Sequence, residues 1–421
     1  MPKGEGRLVG QIMGNGAGRS GSAAGDGRGS RLGTSLSGTN LERAADYNQR
    51  IVLQAIRVAG ETTRSELAVT TGLTPPTIAN ITKRLMDQGL VREAGRRHGL
   101  RGQPALRLQI NPGGAFSIGV NIDRDHYTIV SLDLAGEVRT RAVREMAFAM
   151  PQQVLACLRT EIAAIRASGN IDEGRIIGVG VALPDELGGV ALPHRPDGYE
   201  VWSGLDVATL VRQVLPWPVH VDNDAAAAAL GEAQFGSGLT HSSFFYILLS
   251  AGLGGGLVVD GGYVRGATGR SGEIGFLPDP TADRPHATVQ DTVSLFALLA
   301  RLEQAGFAMT DAAQLATLDG PALSVVEQWL DDATRSLCGP LLAVNCLVDP
   351  AAVLIGGRLP GGLIDALILR LRTAMAGANI PTVAPILRAA SGDAPAVGAA
   401  ILPFLDRMLP IESALMQAGR G

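Results

Sequence analysis

The sequence predicts an α/β protein in two parts, a winged helix-turn-helix over residues 46–110 and a large two-lobed α/β domain over residues 111–421. Three observations predict it. A helix–turn–helix pattern is followed at once by two strands; strand and helix then alternate in two successive halves; and charge divides along the chain. Residues 1–105 hold 15 Lys+Arg against 8 Asp+Glu, a balance of +7, and the rest hold 21 against 32, a balance of −11, within a total of −4. A basic head on an acidic body is the pattern of a nucleic-acid-reading module fused to one that does not touch nucleic acid.

The elements of the head follow from local chemistry. Ile51, Val52, Ala55 and Ile56 recur at helical spacing and give an amphipathic bracing helix. Thr63-Arg64-Ser65-Glu66 is a capping box, in which the threonine hydroxyl accepts a free backbone N–H and Glu66 reaches back to the cap. Leu67, Ala68 and Val69 carry a short helix that Gly72 ends in the left-handed conformation. Thr74-Pro75-Pro76 opens the next helix, with prolines where a missing N–H costs nothing. In this helix, residues 75–88, Ile78, Ile81, Leu85 and Met86 face inward and leave Thr77, Asn80, Lys83 and Arg84 outside. Small polar groups near its start suit base edges and cations further along suit phosphates, which makes it the candidate recognition helix for double-stranded DNA. Leu90-Val91 and the alternating Leu106, Leu108 and Ile110 read as a hairpin. The glycine-rich tip over residues 95–104 carries Arg96, Arg97 and Arg101, cations suited to a narrow minor groove.

In the large domain, strands are expected over residues 115–122, 127–134 and 138–145, then a helix over 151–168 and a buried strand over 176–183. A helix over 207–215, a strand over 219–222 and an alanine-rich helix over 224–235 follow. Paired strands over 244–250 and 256–259, helices over 293–305 and 324–347, and a strand over 353–355 leading through Gly356-Gly357 into another helix follow. Such alternation in two halves argues for two lobes with a cleft between them.

Composition excludes several classes. Cys157, Cys338 and Cys346 are scattered, so neither a disulfide framework nor a cysteine metal cluster is expected, which fits a reducing cytoplasm. No stretch approaches the ~20 apolar residues of a membrane span. The first forty residues hold twelve glycines and no apolar core of a secretory signal. Residues 1–45 read as a disordered glycine-, arginine- and serine-rich tail.

Val219-His220-Val221-Asp222-Asn223-Asp224-Ala225, followed by Ala229-Leu230-Gly231-Glu232, resembles the sugar-site signature of the ROK family of repressors, open reading frames and sugar kinases. Gly252-Leu253-Gly254-Gly255-Gly256 with Gly269 and Gly272-Glu273-Ile274-Gly275 resembles the glycine-rich signature that follows it, and Leu183-Pro184-Asp185 an earlier sugar loop. The head, with its Arg-Gly-Gln-Pro wing segment, is similar to that of the family's repressor branch. The resemblance covers nearly everything after residue 45. It implies an actin-like, duplicated ribonuclease-H-like fold with a sugar between the lobes.

Within that resemblance, individual residues separate kinase from repressor. A kinase of the family carries Asp-x-Gly-Gly-Thr after the first strand, where small residues let backbone N–H groups approach the phosphates. The corresponding residues are Asn121-Ile122-Asp123-Arg124-Asp125, and the hydroxyl expected before the later glycine run is Ala251. Two carboxylates facing a triphosphate repel it by several kcal/mol on a rough Coulomb estimate. The resemblance thus implies a regulator with no catalytic residue and a degraded ATP site. Asn223, Asp224 and Glu273 are its candidate contacts to a small sugar or polyol effector. The family's zinc ligands are absent: the histidine position is Phe276, residues 277–290 hold no cysteine, and the glutamate closing that segment is Gln290. No metal or other cofactor is therefore expected. His194, Arg195 and Trp202 are candidate replacement contacts on a rim loop. The expected protein is a cytoplasmic homodimer or tetramer that binds an operator and represses carbohydrate genes. A sugar kinase with a DNA-binding head and an effector-independent DNA-binding oligomer are the alternatives.

Overall fold

The computed structural model describes residues 41–97, 105–185, 187–189, 195–309 and 312–410. The head consists of α1 (Leu41–Ala59), β1 (Glu61–Thr63), α2 (Arg64–Thr71), α3 (Pro75–Asp87), β2 (Val91–Arg97) and β3 (Ala105–Ile110). The bracing helix begins at Leu41, ahead of the expected boundary at 46, because Leu-Glu-Arg-Ala-Ala are strong helix formers that prolong it. Residues 1–40 of the expected tail lie outside the described residues.

Both halves of the capping box are made. Thr63 Oγ1 accepts the Glu66 N–H at 3.3 Å, and the Glu66 carboxylate accepts the Thr63 N–H at 2.8 Å. Gly72 ends α2 at φ 70°. The unforeseen β1 pairs with β3 to complete a sheet in the order β1-β3-β2; three residues are too few to show a period. β2 continues to Arg97 through a register shift between Glu93 and Arg96. Arg96 and Arg97 therefore sit on a strand, paired in register with Leu106 and Ala105, and not at the hairpin tip. Arg101 lies outside the described residues.

The first lobe contains β4 (Phe116–Ile122), β5 (His126–Asp133), β6 (Val138–Glu145), α4 (Pro151–Ser168), β7 (Ile176–Leu183), α5 (Val207–Arg212) and β8 (Val219–Asn223). Next comes α6 (Asp224–Phe235). The second lobe contains β9 (Phe244–Leu249), β10 (Leu253–Val259), β11 (Gly262–Tyr263), α7 (Val289–Thr292), α8 (Leu295–Gln304), α9 (Gly320–Val348), β12 (Ala352–Gly357), α10 (Gly361–Met375) and β13 (Ile386–Arg388). The chain then returns through α11 (Ala394–Arg407). The sheet orders, β6-β5-β4-β7-β8 and β11-β10-β9-β12-β13, are the same arrangement used twice: an antiparallel meander with two parallel strands added beside its first strand. The duplicated, actin-like architecture is thus present.

Each lobe has its own core, around Val120, Leu158, Val181 and Val211 in the first and Ile247, Leu337, Val353 and Leu367 in the second. Two helices lie between them. α11 was not legible in the sequence, since Gly398 and Pro403, both inside it, count against a helix on propensity. Tertiary packing overrides that. A Cβ on Gly398 would lie 1.6 Å from the Ala227 oxygen of α6, and one on Gly119 would lie 1.9 Å from the Ala396 oxygen. Glycine permits this close approach of α11 to α6 on one side and to β4 on the other. The outer part of α11, with Ile401 and Phe404, joins the core of the head, with Val52, Ile56, Ile78 and Leu85.

Candidate functional site

On the head, α3 presents Asn80, Lys83 and Arg84 on one exposed face, the three- and four-residue spacing that a groove-lying helix requires. Thr77 is half-buried, with its hydroxyl 2.9 Å from that of Thr74. Thr82 lies on the inner side, where its buried hydroxyl donates to Ile78 O at 2.8 Å and accepts from Arg64 Nε at 2.9 Å. The described side chains do not include those of Arg96, Arg97 and Arg101.

In the body, Asn223, Asp224 and Glu273 are brought to one small interlobe cleft, together with Arg124, Pro184, Asp185, Arg270 and Gln290. Each is placed by a different device. Asn223 ends β8 and caps α6, its side-chain oxygen accepting the N–H groups of Ala225 at 2.9 Å and Ala226 at 3.0 Å. Asp224 is the first residue of α6 and is buried there. Burial, helped by the neighbouring Asp123 carboxylate and opposed by Arg124, pushes its carboxyl up to about 7. Glu273 follows the Gly272 turn at φ 89°, beside Arg270, whose Nε stands 3.8 Å from Glu273 and 3.5 Å from Asp185. The cleft therefore offers carboxylates, guanidinium groups and amides in mixed array, the donors and acceptors that a polyol needs. Its cavity is only about 40 Å³, room for a few waters at about 10–15 Å³ each. A cavity of about 450 Å³ adjoins it and shares Asp224 and Ser250.

That larger cavity borders the turn between β4 and β5, where the sequence departs from a phosphate loop. The Asp123 N–H donates to His126 O at 3.0 Å, which closes a tight turn. His126 sets one ring nitrogen 2.7 Å from Asp125 and the other 3.0 Å from the Asn121 amide. Arg358, from the end of β12, lies 3.9 Å from Asp125 and 2.7 Å from Glu145. Burial pushes the Asp125 carboxyl up, but His126 and Arg358 outweigh it and hold the carboxyl below its usual range; His126 is correspondingly raised despite its burial. The expectation of two free carboxylates is thus corrected: Asp125 is paired with His126 and Arg358 in a turn that closes on itself. Asp123 is the exception, buried with Oδ2 unpartnered. Ligand atoms of Asp123, Asp125 and His126 lie within 4.8 Å of one another, but both ring nitrogens of His126 are engaged within the protein. Arg124 keeps Nη1 3.6 Å from Asp123 Oδ1 and reaches toward Gly252, lying 3.6 Å from where a Cβ on that glycine would be.

Sequence reasoning missed Asp279. It sits in the segment where the family's zinc ligands would stand, and it is buried. Its carboxylate accepts Thr281 Oγ1 at 2.6 Å, Thr292 Oγ1 at 2.7 Å and Ser336 Oγ at 2.7 Å. Burial pushes this carboxyl up, but those hydroxyls and the Thr281 N–H hold it below the usual range. A hydrogen-bonded carboxylate thus ties the loop to α7 and α9. Phe276 and Gln290 line the cleft beside Glu273. The rim-loop expectation for Trp202 is corrected: it is buried in the first-lobe core, with Nε1 donating to Ala149 O at 3.0 Å. Arg195 donates to Gly188 O at 3.1 Å, and His194 lies outside the described residues.

Comparisons with known proteins agree with this geometry. The ROK family model matches residues 117–404, and a model described as winged helix-turn-helix DNA-binding matches residues 46–92. The uncharacterized protein y4fQ of Sinorhizobium fredii is 32% identical over 85% of this chain and 90% of its own length. A xylose repressor of Caldicellulosiruptor bescii is 28% identical over 54% of this chain, which spans 57% of that relative's length. The crystal structure of a ROK family transcriptional regulator, a homologue of the Escherichia coli MLC protein, superposes with a TM-score of 0.65. At 24% identity, over 90% of this chain and all of that one, it establishes a shared fold. With the model matching most of the chain, this protein belongs to the ROK family and carries an N-terminal winged helix-turn-helix.

Proposed function

We propose that the chain is a sugar-responsive DNA-binding repressor of carbohydrate uptake or catabolism genes. In this reading it works in the cytoplasm as a homodimer or tetramer, needs neither ATP nor zinc, and has no catalytic residue. One observation carries it: the turn from Asp123 to His126 is closed by its own hydrogen bond and pairs its charges within the protein, while Asn223, Asp224 and Glu273 line the interlobe cleft beside it. Phosphoryl transfer rests on positioning and charge stabilisation, and a turn whose His126 and Arg358 are engaged with its own carboxylates is poorly placed to supply them. The likeness to xylose repressors supports a pentose or related sugar as effector. Such a ligand shifts the balance of lobe positions only if it binds one better, typically by about 1–3 kcal/mol. Two heads would then place α3 in successive major grooves of a pseudo-palindromic operator, with Arg96, Arg97 and Arg101 on the backbone or minor groove.

One observation favours a second reading, an ATP-dependent sugar kinase with a DNA-binding head. A carboxyl near 7 at Asp224 suits a general base. The purified full chain decides between them, assayed for binding to its own upstream DNA with and without D-xylose and other neutral sugars, and for phosphate transfer from ATP. The expected result is specific DNA binding relieved by one sugar, with no phosphorylated product. Sugar phosphorylation lost in Asp224→Ala would establish the second reading. Arg84→Ala should weaken DNA binding and lower the salt slope by about one.

A further inference from the structure

α6 runs unbroken from the cleft to the head. Its cap Asn223 and first residue Asp224 line the cleft, and its last residues, Gln234 and Phe235, are gripped by Arg57 near the end of α1. Arg57 Nη1 donates to the Gln234 main-chain oxygen and Nη2 to its side-chain oxygen, both at 2.9 Å. The guanidinium lies 4.4 Å over the Phe235 ring, and its Nε donates to Gln54 at 3.0 Å. A planar, multiply bonded and stacked guanidinium fixes orientation as well as distance. The twelve residues of α6 span about 18 Å. Asp224 through Glu232 are all buried, and the backbone contact of α11 at Ala227 leaves α6 no room to slide alone. The far end of α11 is also tied to α1, through Arg50 Nη1 to Leu405 O at 3.2 Å and Leu409 O at 3.4 Å. Beside α1 the head and body leave a cavity of about 720 Å³, lined by Asp46, Gln49 and Gln88 of the head and Gly114, Asp172 and Arg175 of the body. The head therefore meets the body through the shared core at α11 and through these polar clasps, with open space beside α1.

We propose that Arg57 is the positioning residue that transmits the state of the cleft to the DNA-reading head. A shift of α6 at Asn223–Asp224 is delivered to α1 through the Gln234–Phe235 clasp. The biological sense of this rests on the regulatory reading above, but its test uses neither sugar nor DNA, so the two can fail separately. Amide hydrogen exchange of the full chain is compared for Asn223→Ala with and without Arg57→Ala. Loss of the cap should speed exchange in α6, and through the clasp in residues 50–57 of α1, by roughly fivefold. In the Arg57→Ala background the acceleration should stop within α6. If the alanine variant does not fold, Arg57→Met keeps the apolar stem without the donors and should behave the same way. No response of α1 with Arg57 present, or an equal response without it, overturns the proposal.

Discussion

The turn between β4 and β5 and the turn between β9 and β10 hold the same position in the two halves of a repeated sheet, yet their chemistry is opposite. The first is charged and self-paired, with Asp125, His126 and Arg358 balancing one another. The second, Ser250-Ala251-Gly252, carries no charge and is held from behind: Ser250 O accepts the Leu295 N–H at 3.0 Å. Arg124 of the first turn has come to rest against Gly252 of the second. A repeated backbone determines that two turns meet at the cleft; their side chains determine the charge they bring to it.

Substitutions can break this contrast in decreasing order of effect. The second turn depends on the segment anchored by Asp279, so Asp279→Ala, which strands buried hydroxyls, should cost about 3 kcal/mol in denaturant unfolding. A loss under about 1 kcal/mol would mean the loop is held elsewhere. The first turn depends on ion pairs. Arg358→Ala leaves Glu145 without its cation and Asp125 with His126 alone, and should cost about 1–3 kcal/mol, more at low salt. Indifference to ionic strength would remove that pair from the argument.

Asp224→Asn tests the junction of the two. The native carboxyl titrates near 7 and an ordinary aspartate near 3.8, so between those values the folded state holds the extra proton and stability falls as pH rises. The asparagine variant should melt about 2–5 °C above the parent at pH 8, with the gap closing toward pH 4. A gap that widens on acidification would reverse the assignment. The smallest effect is expected for Gly252→Ala, whose new Cβ meets Arg124 and Gln290 at ordinary contact distances of 3.6 and 3.7 Å. It should change stability by less than about 0.5 kcal/mol. Gly255→Ala, 2.3 Å from the Gly272 oxygen, is the control that should not be tolerated.

Local chemistry made much of the molecule legible. The capping box at Thr63–Glu66, the Gly72 stop, the bounds of α4, β7 and α6, and the cleft position of Asn223, Asp224 and Glu273 all follow from propensity, spacing or motif. Such features are decided within a few residues of chain, and a single sequence therefore carries them. Tertiary structure alone decided the rest. It made α11 a helix in spite of Gly398 and Pro403, sent Trp202 to the core, and placed Arg358 beside Asp125 from more than two hundred residues away. It also made Asp279 the tie between its loop, α7 and α9. These outcomes depend on burial and on which distant groups become neighbours. The strength of an ion pair or a buried hydrogen bond is set by that environment, and no local pattern of residues contains it.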